Sequence, residues 1–357
     1  MSQTDFSGTM PVGDRHRFDE ASLGHWLHAH LAGFAGLSRI EQFRGGQSNP
    51  TFLLTAADGA RYVLRKKPSG TLLPSAHAVD REFRVISALY GSDVPVARPL
   101  GLCTDESVIG TMFYLMEYVA GRNFWDATLP GMAPAERASL YEEMSRVLVA
   151  LHRLDYVAAG LRDYGKPGNY FARQIARWSG QYRASETERI EAMEKLLSWL
   201  PANIPPGDET ALVHGDYRLD NLIFDSRSPR MLALVDWELS TLGHPLADFS
   251  YHVMLWRIPA AGEAGGLLGL DLPALGIPSE AEYVAAYCAR TGRPAIEPRV
   301  WEFCMAYNLF RIACIRQGIM KRVLEGTAAS RHAREAGARA RETAELAWQQ
   351  VEEHLGA

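Results

Sequence analysis

The sequence has few cysteines, and their spacing shows no pairing. The four, Cys103, Cys288, Cys304 and Cys314, are scattered through 357 residues and lie in apolar surroundings. A disulfide-stapled scaffold or a structural zinc site needs cysteines at short, paired spacings, so both are excluded. We therefore expect reduced, buried thiols in a cytoplasmic protein.

Excess positive charge and long apolar runs are also lacking. The formal net charge is −5, which argues against a nucleic-acid-binding surface. No apolar run approaches the ~20 residues that cross a bilayer, so we expect no membrane partner. Residues 1–20 lack the apolar segment of a signal peptide. The hydrophobic content of 47% instead indicates a well-buried core, arranged in two lobes.

Acidic and amide side chains follow one another in a single stretch, residues 211–248. Asp216 and Asn221 lie five residues apart on a polar loop between two short apolar runs, and a third apolar run ends directly before Asp236. Asn and Asp supply the oxygen ligands that Mg²⁺ prefers, and a carboxylate can accept the proton of an attacking hydroxyl. Protein kinases use this order of residues, so the stretch predicts phosphoryl transfer.

Three segments resemble the aminoglycoside phosphotransferase and choline kinase-like family, which shares the protein-kinase fold: HGDYRLDNLIFD, VDWELSTLGHPLADFSYH and FRGGQSNPTFLL. The resemblance covers roughly residues 25–325. Within this family the chain is most similar to the kinase-like domain that is fused to acyl-CoA dehydrogenases in some animal proteins. The resemblance implies ATP and Mg²⁺ as cofactors and a small hydroxyl-bearing molecule as acceptor.

The resemblance also implies a role for each polar residue of the stretch. Asp216 is the expected catalytic base, and Asn221 and Asp236 are the expected Mg²⁺ ligands. His214 is expected to brace the loop from behind, and Asp248 to hold the loop's backbone in place. Without these neighbours, an Asp and an Asn five residues apart would be more typical of a surface loop between core strands.

A glycine-rich turn lies earlier in the chain, inside a hairpin predicted over residues 40–57. Glycines let the backbone approach phosphate oxygens closely, and exposed N–H groups act as donors. By the resemblance this turn covers the ATP phosphates, which makes Gly46, Gln47, Ser48 and Asn49 candidate contacts. Taken alone, such a turn is more typical of an ordinary hairpin.

The next predicted strand, residues 61–65, ends in Arg65 where protein kinases carry a lysine. Arginine keeps the positive charge and can bind phosphate oxygens through two nitrogens. Strand alternation places Arg65, rather than Lys66, on the same side as Val63. A solvated basic strand end remains the alternative reading.

A carboxylate partner for this arginine is predicted on the following helix, residues 76–90. Glu82 lies on the apolar face of that helix, where a carboxylate needs a cationic partner. We expect an ion pair with Arg65. The alternative is a pair with a neighbouring arginine, Arg81 or Arg84.

Residues 111–119 predict a buried strand that leads into a glycine-containing turn. In the family this segment joins the lobes, so the resemblance implies that the backbone groups of Glu117 and Val119 bind the adenine edge. Met116 would flank the purine. Ordinary core packing explains Met116 equally well, because backbone recognition leaves little trace in a sequence.

The acceptor is expected to bind near the helices that follow Asp248. Residues 249–322 carry six acidic and eight basic side chains, whereas kinases of polycationic substrates need an acidic pocket. Arg311 and Arg316, set among apolar residues, suit an acceptor with an anionic end and an apolar body. A solvent-facing role for these cations is the alternative.

The sequence therefore predicts an α+β, bilobal protein-kinase-like fold. We expect a flexible leader at 1–20, a small N-lobe with an antiparallel sheet at 21–118, and a larger helical C-lobe at 119–357, ending in a solvated helix. The predicted function is an ATP-dependent small-molecule kinase, and the acceptor class implied by the resemblance is a hydroxyacyl-CoA or related acid. A sugar, amino alcohol or aminoglycoside kinase is one alternative. A nucleotide-binding pseudokinase that acts through partners is another.

Overall fold

The computed structural model describes residues 8–44, 49–68, 77–260, 265–327 and 333–356. The chain divides into two compact units. Unit 1 comprises Met1–Ala150, Asp155–Tyr164 and Arg218–Ser240, and unit 2 comprises Leu151–Leu154, Gly165–Tyr217 and Thr241–Ala357. These units are defined by contacts, so the predicted lobe boundary after residue 118 stays a prediction.

Unit 1 contains a six-stranded sheet in which every neighbouring pair is antiparallel. The strand order is β1-β2-β3-β4-β6-β5, with bounds Thr9–Met10 (β1), Leu37–Phe43 (β2), Thr51–Ala56 (β3), Arg61–Lys66 (β4), Pro99–Cys103 (β5) and Phe113–Glu117 (β6). Alternate residues of β3 are buried, and they pack with Leu23 and Leu27 of helix α1, Glu20–His30. Each such leucine contributes roughly 1.5–3 kcal/mol by leaving water.

The side chains of β4 alternate between the two faces of this sheet. Leu64 packs in the core with α1, whereas Val63 and Arg65 line a cavity on the other face. Arg65 lies opposite Thr51 of β3 and Tyr114 of β6. The predicted register, with Arg65 on the side of Val63, is therefore confirmed.

The segment expected to be a flexible leader takes part in the sheet. Thr9 and Met10 form β1 and pair with Phe43 and Gln42 of β2. The Thr9 hydroxyl also donates to the Glu41 carboxylate at 2.9 Å. A two-residue strand carries no detectable alternation, so the sequence pattern could not reveal it.

Unit 1 also contains helix α2, Val79–Leu89, and a short hairpin. The hairpin consists of β8, Leu222–Phe224, and β9, Met231–Leu234, which are antiparallel. A 3₁₀ turn, Trp237–Leu239, follows the hairpin and packs against α2. Both apolar runs predicted on this side of the catalytic loop are thus strands.

Unit 2 is mostly helical. The helices that complete the chain are α3 (Pro134–Arg153), α4 (Tyr170–Ser185), α5 (Glu191–Ala202), α6 (Pro245–Val253), α7 (Leu272–Leu275), α8 (Glu280–Thr291), α9 (Pro298–Leu324), α10 (Ala333–Ala338) and α11 (Ala340–Leu355), with α3 running from unit 1 into unit 2. Two strands, β7 (Ala211–Val213) and β10 (Thr241–Gly243), pair antiparallel. The long helix α9 is buried over most of its length and packs against α4, α6, α10 and α11.

The C-terminal tail differs from the solvated helix that was expected. It forms α10 and α11, and both pack on α9. Small residues of α11, including Ala344 and Ala347, are fully buried, and a Cβ on Gly337 would come within 2.9 Å of Met320. Alanine counts weakly as apolar in a pattern, but it permits close helix packing, which is why the prediction was wrong.

All four cysteines are free and buried, as predicted. Within the described ranges, no helix combines the length and the hydropathy needed to cross a bilayer. The antiparallel sheet with helices also agrees with the predicted α+β class.

Candidate active site

Arg65 is the centre of a cluster of buried charges in unit 1. Its Nε atom lies 2.8 Å from Oε2 of Glu82, which confirms the predicted ion pair. Its Nη2 atom lies 2.5 Å from Oδ1 of Asp236 and 3.6 Å from Oε2 of Glu238. Burial alone would lower the pKa of Arg65, but the carboxylates of Asp236 and Glu82 outweigh burial and raise it, so the guanidinium remains charged.

Glu82 is oriented by neutral donors as well as by Arg65. Its side chain is buried and accepts hydrogen bonds from Asn49 Nδ2 at 2.7 Å and the Tyr114 hydroxyl at 3.1 Å. Burial raises the pKa of Glu82, and the Arg65 charge opposes that rise. The alternative partners do not pair with Glu82: Arg81 donates to the Tyr164 carbonyl, and Arg84 pairs with Asp163.

Asn49 has a further role that the sequence analysis did not foresee. Its side chain is fully buried, and its amide bridges Glu82 and the His77 ring, which lies 2.9 Å from Asn49 Oδ1. Both polar atoms of this side chain are thus engaged within unit 1, and a contact between Asn49 and phosphate stays a prediction. Gly46, Gln47 and Ser48 lie outside the described residues.

The two predicted metal ligands come together at one end of the β8–β9 hairpin. The Val235 N–H donates to the Asn221 carbonyl at 3.0 Å, and Asp236 follows directly. Asp236 has φ +66° and ψ +61°, a left-handed conformation that is costly for a residue with a Cβ. The side chains of Asn221 and Asp236 line the same cavity.

This cavity has a volume of about 970 Å³ and lies within unit 1. Its lining combines charged and apolar groups, as ligand sites commonly do. Arg65, Met116, Glu117 and Val119 all contribute to it. The aromatic side chains of Phe124 and Trp125 extend the apolar part of the wall.

Two backbone N–H groups at the end of β6 are paired within unit 1. The Glu117 N–H donates to the Arg98 carbonyl at 2.9 Å, and the Tyr118 N–H donates to the Arg61 carbonyl at 3.4 Å. The backbone groups of Glu117 and Val119 are the contacts of the adenine edge that were expected from the sequence. Whether these groups bind adenine remains a prediction.

The donor set of the cavity fits Mg²⁺. Asp236 offers a carboxylate and Asn221 an amide oxygen, which are hard ligands of the kind this ion takes. No group of three or more His, Cys, Asp or Glu among the described residues forms a complete metal site. A site of this kind suits an ion that takes its other ligands from phosphate and water.

Unit 2 holds the predicted base, Asp216, on the loop that follows β7. Asp248 accepts hydrogen bonds from the backbone N–H groups of His214 and Gly215, both at 2.8 Å, so it holds the loop's backbone as predicted. The fully buried His214 accepts from the Asp216 N–H at 3.3 Å through Nδ1. It braces the loop from behind, as expected.

Asp248 is kept ionised in a buried position. Burial would raise the pKa of this carboxyl, but the hydrogen bond from His152 and those from the loop backbone lower it below its ordinary range. His152 Nε2 lies 3.2 Å from Asp248 Oδ2, and the other ring nitrogen lies 2.8 Å from the Tyr287 hydroxyl. His152 is therefore a packed histidine that supports Asp248.

Tyr251 is a site residue that the sequence analysis missed. Its hydroxyl donates to Oδ1 of Asp216 at 2.5 Å. The Arg311 guanidinium lies 4.8 Å from the centre of the Tyr251 ring and donates to the Gly215 carbonyl at 2.6 Å. Only the order along α6, three residues after Asp248, could have pointed to Tyr251, and order alone does not say which way a side chain points.

The two arginines predicted to bind the acceptor have partners within unit 2. Arg311 is buried and braces the catalytic loop through the Gly215 carbonyl. Arg316 donates to the Thr343 hydroxyl of α11, and burial together with the Arg339 charge lowers the pKa of Arg316 to about 10. An added contact with an acceptor is untested for both.

Residues of one sequence motif thus belong to different compact units. Asp216 lies in unit 2, whereas Asn221 and Asp236 lie in unit 1. Unit 1 gathers the groups expected to handle nucleotide and metal, and unit 2 gathers the base and its supports.

The chain is similar to known proteins in sequence and in fold. The profile of the phosphotransferase enzyme family, APH, matches residues 39–302. Acyl-CoA dehydrogenase family member 10 of Mus musculus is 46% identical over 342 residues, which cover 95% of this chain and 32% of the mouse protein. The chain therefore spans about a third of the length of that relative.

Solved structures show the same fold. A crystal structure from Ralstonia eutropha, provisionally named an aminoglycoside phosphotransferase, is 56% identical, with a TM-score of 0.86 over 94% of this chain and 99% of that one. A thermostable mutant of aminoglycoside phosphotransferase APH(4)-Ia, solved with ADP and hygromycin B, is 14% identical, with a TM-score of 0.60, and covers 92% of this chain and 98% of its own. The second likeness concerns the fold alone.

The predicted kinase-like fold and the predicted family are thus confirmed by independent matches. The family profile covers more than two thirds of the chain and includes Arg65, the catalytic loop and Asp236. This chain belongs to the phosphotransferase enzyme family, and its relatives include acyl-CoA dehydrogenase family members 10 and 11.

Proposed function

We propose that the protein transfers the γ-phosphoryl group of ATP to a hydroxyl group of a small-molecule acceptor. The observation that carries the proposal is the Arg65 cluster, in which a buried arginine joins Glu82 and Asp236 beside a cavity of about 970 Å³. A purely structural ion pair has no need of an open cavity or of a partly exposed third member. Asp236 keeps 28% of its side-chain surface exposed.

The residues of unit 1 are proposed to hold the nucleotide. Arg65 binds α- and β-phosphate oxygens, and Glu82 fixes the direction of its guanidinium. The Glu117 carbonyl and the Val119 N–H recognise the adenine edge, with Met116 against the ring. Bound Mg²⁺ would supply positive charge at the phosphates, and Asn221 and Asp236 would hold it.

Asp216 is proposed to act as the base. It orients the acceptor hydroxyl and takes its proton as the oxygen attacks the γ-phosphorus in line. One P–O bond forms to the acceptor, the bond to the β-phosphate oxygen breaks, and ADP leaves. Tyr251 donates to one carboxylate oxygen, which directs the other oxygen to the substrate.

A hydroxyacyl-CoA or related hydroxy acid is the acceptor class we propose. The mouse relative carries the name of an acyl-CoA dehydrogenase, and this chain matches only about a third of it. A hydroxyacyl-CoA has an apolar acyl chain and the anionic phosphates of CoA, which agrees with the surplus of basic residues at 249–322. A sugar, an amino alcohol or an aminoglycoside is the next candidate, since the Ralstonia eutropha protein that is 56% identical to this chain carries the provisional name of an aminoglycoside phosphotransferase.

The test is an ATP-consumption screen of the purified full chain with Mg²⁺. The panel contains hydroxyacyl-CoAs, free hydroxy acids, choline, sugars and aminoglycosides, and Asp216→Asn serves as the blank. We expect turnover with hydroxyacyl-CoAs that is absent in the blank, and a phosphorylated product by mass spectrometry. Turnover only with another class would correct the acceptor, and no turnover above ATP hydrolysis with any member would sink the proposal.

A further inference from the structure

We propose that Glu238 is an exchange partner for Arg65. This inference rests on the proposed function. When Asp236 binds a divalent cation, the Arg65 guanidinium moves from Asp236 to Glu238. Glu238 is then a positioning residue: it releases Asp236 for the metal and keeps Arg65 compensated.

The geometry of one nitrogen carries the inference. Arg65 Nη2 lies 2.5 Å from Asp236 Oδ1 and 3.6 Å from Glu238 Oε2. The contact with Asp236 is a short hydrogen bond. The contact with Glu238 is an ion pair whose atoms lie too far apart for a hydrogen bond. A shift of less than about 1 Å brings the second pair to the ~2.8 Å of a charge-assisted hydrogen bond.

Burial makes a second carboxylate necessary. The Arg65 side chain is 8% exposed, and its other partner, Glu82, is 1% exposed. Glu82 also accepts from Asn49 and Tyr114, so its oxygens are shared. A buried guanidinium that loses a partner pays a desolvation penalty that its remaining contacts do not repay. Metal binding to Asp236 takes one carboxylate from Arg65, and Glu238 is positioned to replace it.

The formal charges of the cluster agree with this exchange. Arg65 contributes one positive charge, and Glu82, Asp236 and Glu238 contribute three negative charges. The surplus of two negative charges equals the charge of one divalent cation. These four groups and one such cation on Asp236 would together carry no formal net charge, with Arg65 paired to Glu82 and Glu238.

The backbone that carries Glu238 is held by hydrogen bonds, so the exchange needs movement of side chains only. The 3₁₀ turn Trp237–Leu239 is closed by Ser240, whose hydroxyl donates to the Trp237 carbonyl at 2.6 Å. The Trp237 ring nitrogen donates to the Leu234 carbonyl at 2.9 Å. The Tyr164 hydroxyl lies 2.7 Å from the Ser240 hydroxyl and joins this turn to the loop that Arg81 also contacts.

The first experiment is a double-mutant cycle on the metal-free full chain, followed by urea unfolding. Asp236→Asn and Glu238→Gln are each expected to change the unfolding equilibrium constant little, because the other carboxylate takes Arg65. The double variant is expected to be destabilised at least about tenfold beyond the product of the two single effects. If both single variants fold and the double variant does not, the two substitutions are strongly coupled, which also supports the exchange.

Additive effects in this cycle would overturn the exchange. A direct metal-ligand role for Glu238 gives additivity here, because no metal is present. Glu136→Gln is the matched control: Glu136 also pairs with an arginine of unit 1, Arg122, so it removes one carboxylate at a comparable pair. It should show no coupling to Asp236→Asn.

The second experiment is calorimetric titration with Mg·ADP, and with ADP in the absence of metal. Glu238→Gln is expected to weaken Mg·ADP binding about tenfold and to leave metal-free ADP binding unchanged. Unchanged Mg·ADP affinity in Glu238→Gln, with normal binding by the unsubstituted protein, would contradict the exchange. Failure of the unsubstituted protein to bind Mg·ADP would refute the proposed function instead, and the metal-free cycle would still decide the exchange.

Discussion

The two compact units keep their functional carboxylates in different electrostatic settings. In unit 1, Asp236 shares the charged partner Arg65 with two other carboxylates. In unit 2, Asp248 is held by backbone N–H groups and His152, and Asp216 receives a hydrogen bond from the Tyr251 hydroxyl. The environment of Asp236 suits the replacement of one cation by another. The environment of Asp216 suits a carboxylate that accepts a proton from a neutral hydroxyl.

This difference has a physical reason. A shared guanidinium can change partners when a new cation arrives, because the total charge of the cluster stays compensated. Neutral donors orient a carboxylate and leave its negative charge in place, because a hydrogen bond to the charged form favours that form. Substitutions in the two units should therefore fail in different ways, and the following experiments use that difference.

The largest effect is expected for Asp216→Asn in unit 2. Removing the proton acceptor should lower kcat by about 10²–10⁴-fold, the usual contribution of a general base. Affinity for Mg·ADP, measured by calorimetry, should be unchanged because the nucleotide groups lie in unit 1. A variant that retained most of the turnover would refute the assignment of the base.

The next largest effect is expected for Glu82→Gln in unit 1. Loss of this buried charge should destabilise the protein by about 3 kcal/mol, the lower end for breaking a buried ion pair, since Asp236 and Glu238 remain near Arg65. Urea unfolding monitored by circular dichroism would measure it. Glu117→Gln, at the exposed pair with Arg98, is the control and should cost less than about 1 kcal/mol. Equal losses in the two variants would argue against a buried role for Glu82.

Asp236→Ala should weaken the binding of Mg·ATP more than the binding of metal-free ATP. We expect at least about a tenfold loss of Mg·ATP affinity, because a carboxylate ligand is removed. Binding of ATP without metal should change less. Calorimetry with and without Mg²⁺ compares the two, and an equal loss in both titrations would mean that Asp236 acts through the fold rather than through the metal.

Mild acid should reveal the buried histidines of unit 2. Burial lowers the pKa of His244 and of His252 to about 4, below the value of about 6.5 in an unfolded chain. Between these values the unfolded chain binds protons that the folded chain excludes. Stability should therefore fall as pH drops from 6.5 towards 4, by up to about 1.4 kcal/mol per pH unit for each histidine.

Urea unfolding at pH 7.5, 6.0 and 5.0 measures this slope. His252→Gln should reduce it, whereas His25→Gln, at an exposed position of α1, should leave it unchanged. A stability that did not vary over this range would show that the two histidines take up protons as readily in the folded protein as in the unfolded chain.

The smallest effect is expected for Tyr251→Phe. The change removes the donor to Asp216 and keeps the ring, so kcat should fall about tenfold with the KM for ATP unchanged. Tyr283→Phe is the matched control, because its hydroxyl pairs with His252 instead. A rise in the KM for ATP without a fall in kcat would contradict the positioning role.

Much of the fold could be predicted from patterns in the sequence. The alternation of β3 and β4 and the apolar face of α2 follow from which residues must leave water, and they placed Arg65 and Glu82 on facing surfaces. The ion pair between them then followed from the need of a buried carboxylate for a cation. The short strands around the catalytic loop were predicted for the same reason.

Other parts were missed because their determinants are distant along the chain. The sequence pattern did not indicate that the Asn49 side chain orients Glu82, 33 residues later. Tyr251 meets Asp216 across 35 residues, and the tail helices meet α9 through alanine and glycine rather than through a strong apolar stripe. Local periodicity reports which face is buried, but not which partner covers it.

The sequence by itself determined the element types, the order of the catalytic motif and the chemistry of its residues, because these depend on local hydrophobic period and on side-chain type. The tertiary structure alone decided which carboxylates share Arg65 with Glu82, which hydroxyl holds Asp216 and which helices cover α9. Those choices depend on distances between segments far apart in the chain, which are set by the packing of the whole unit.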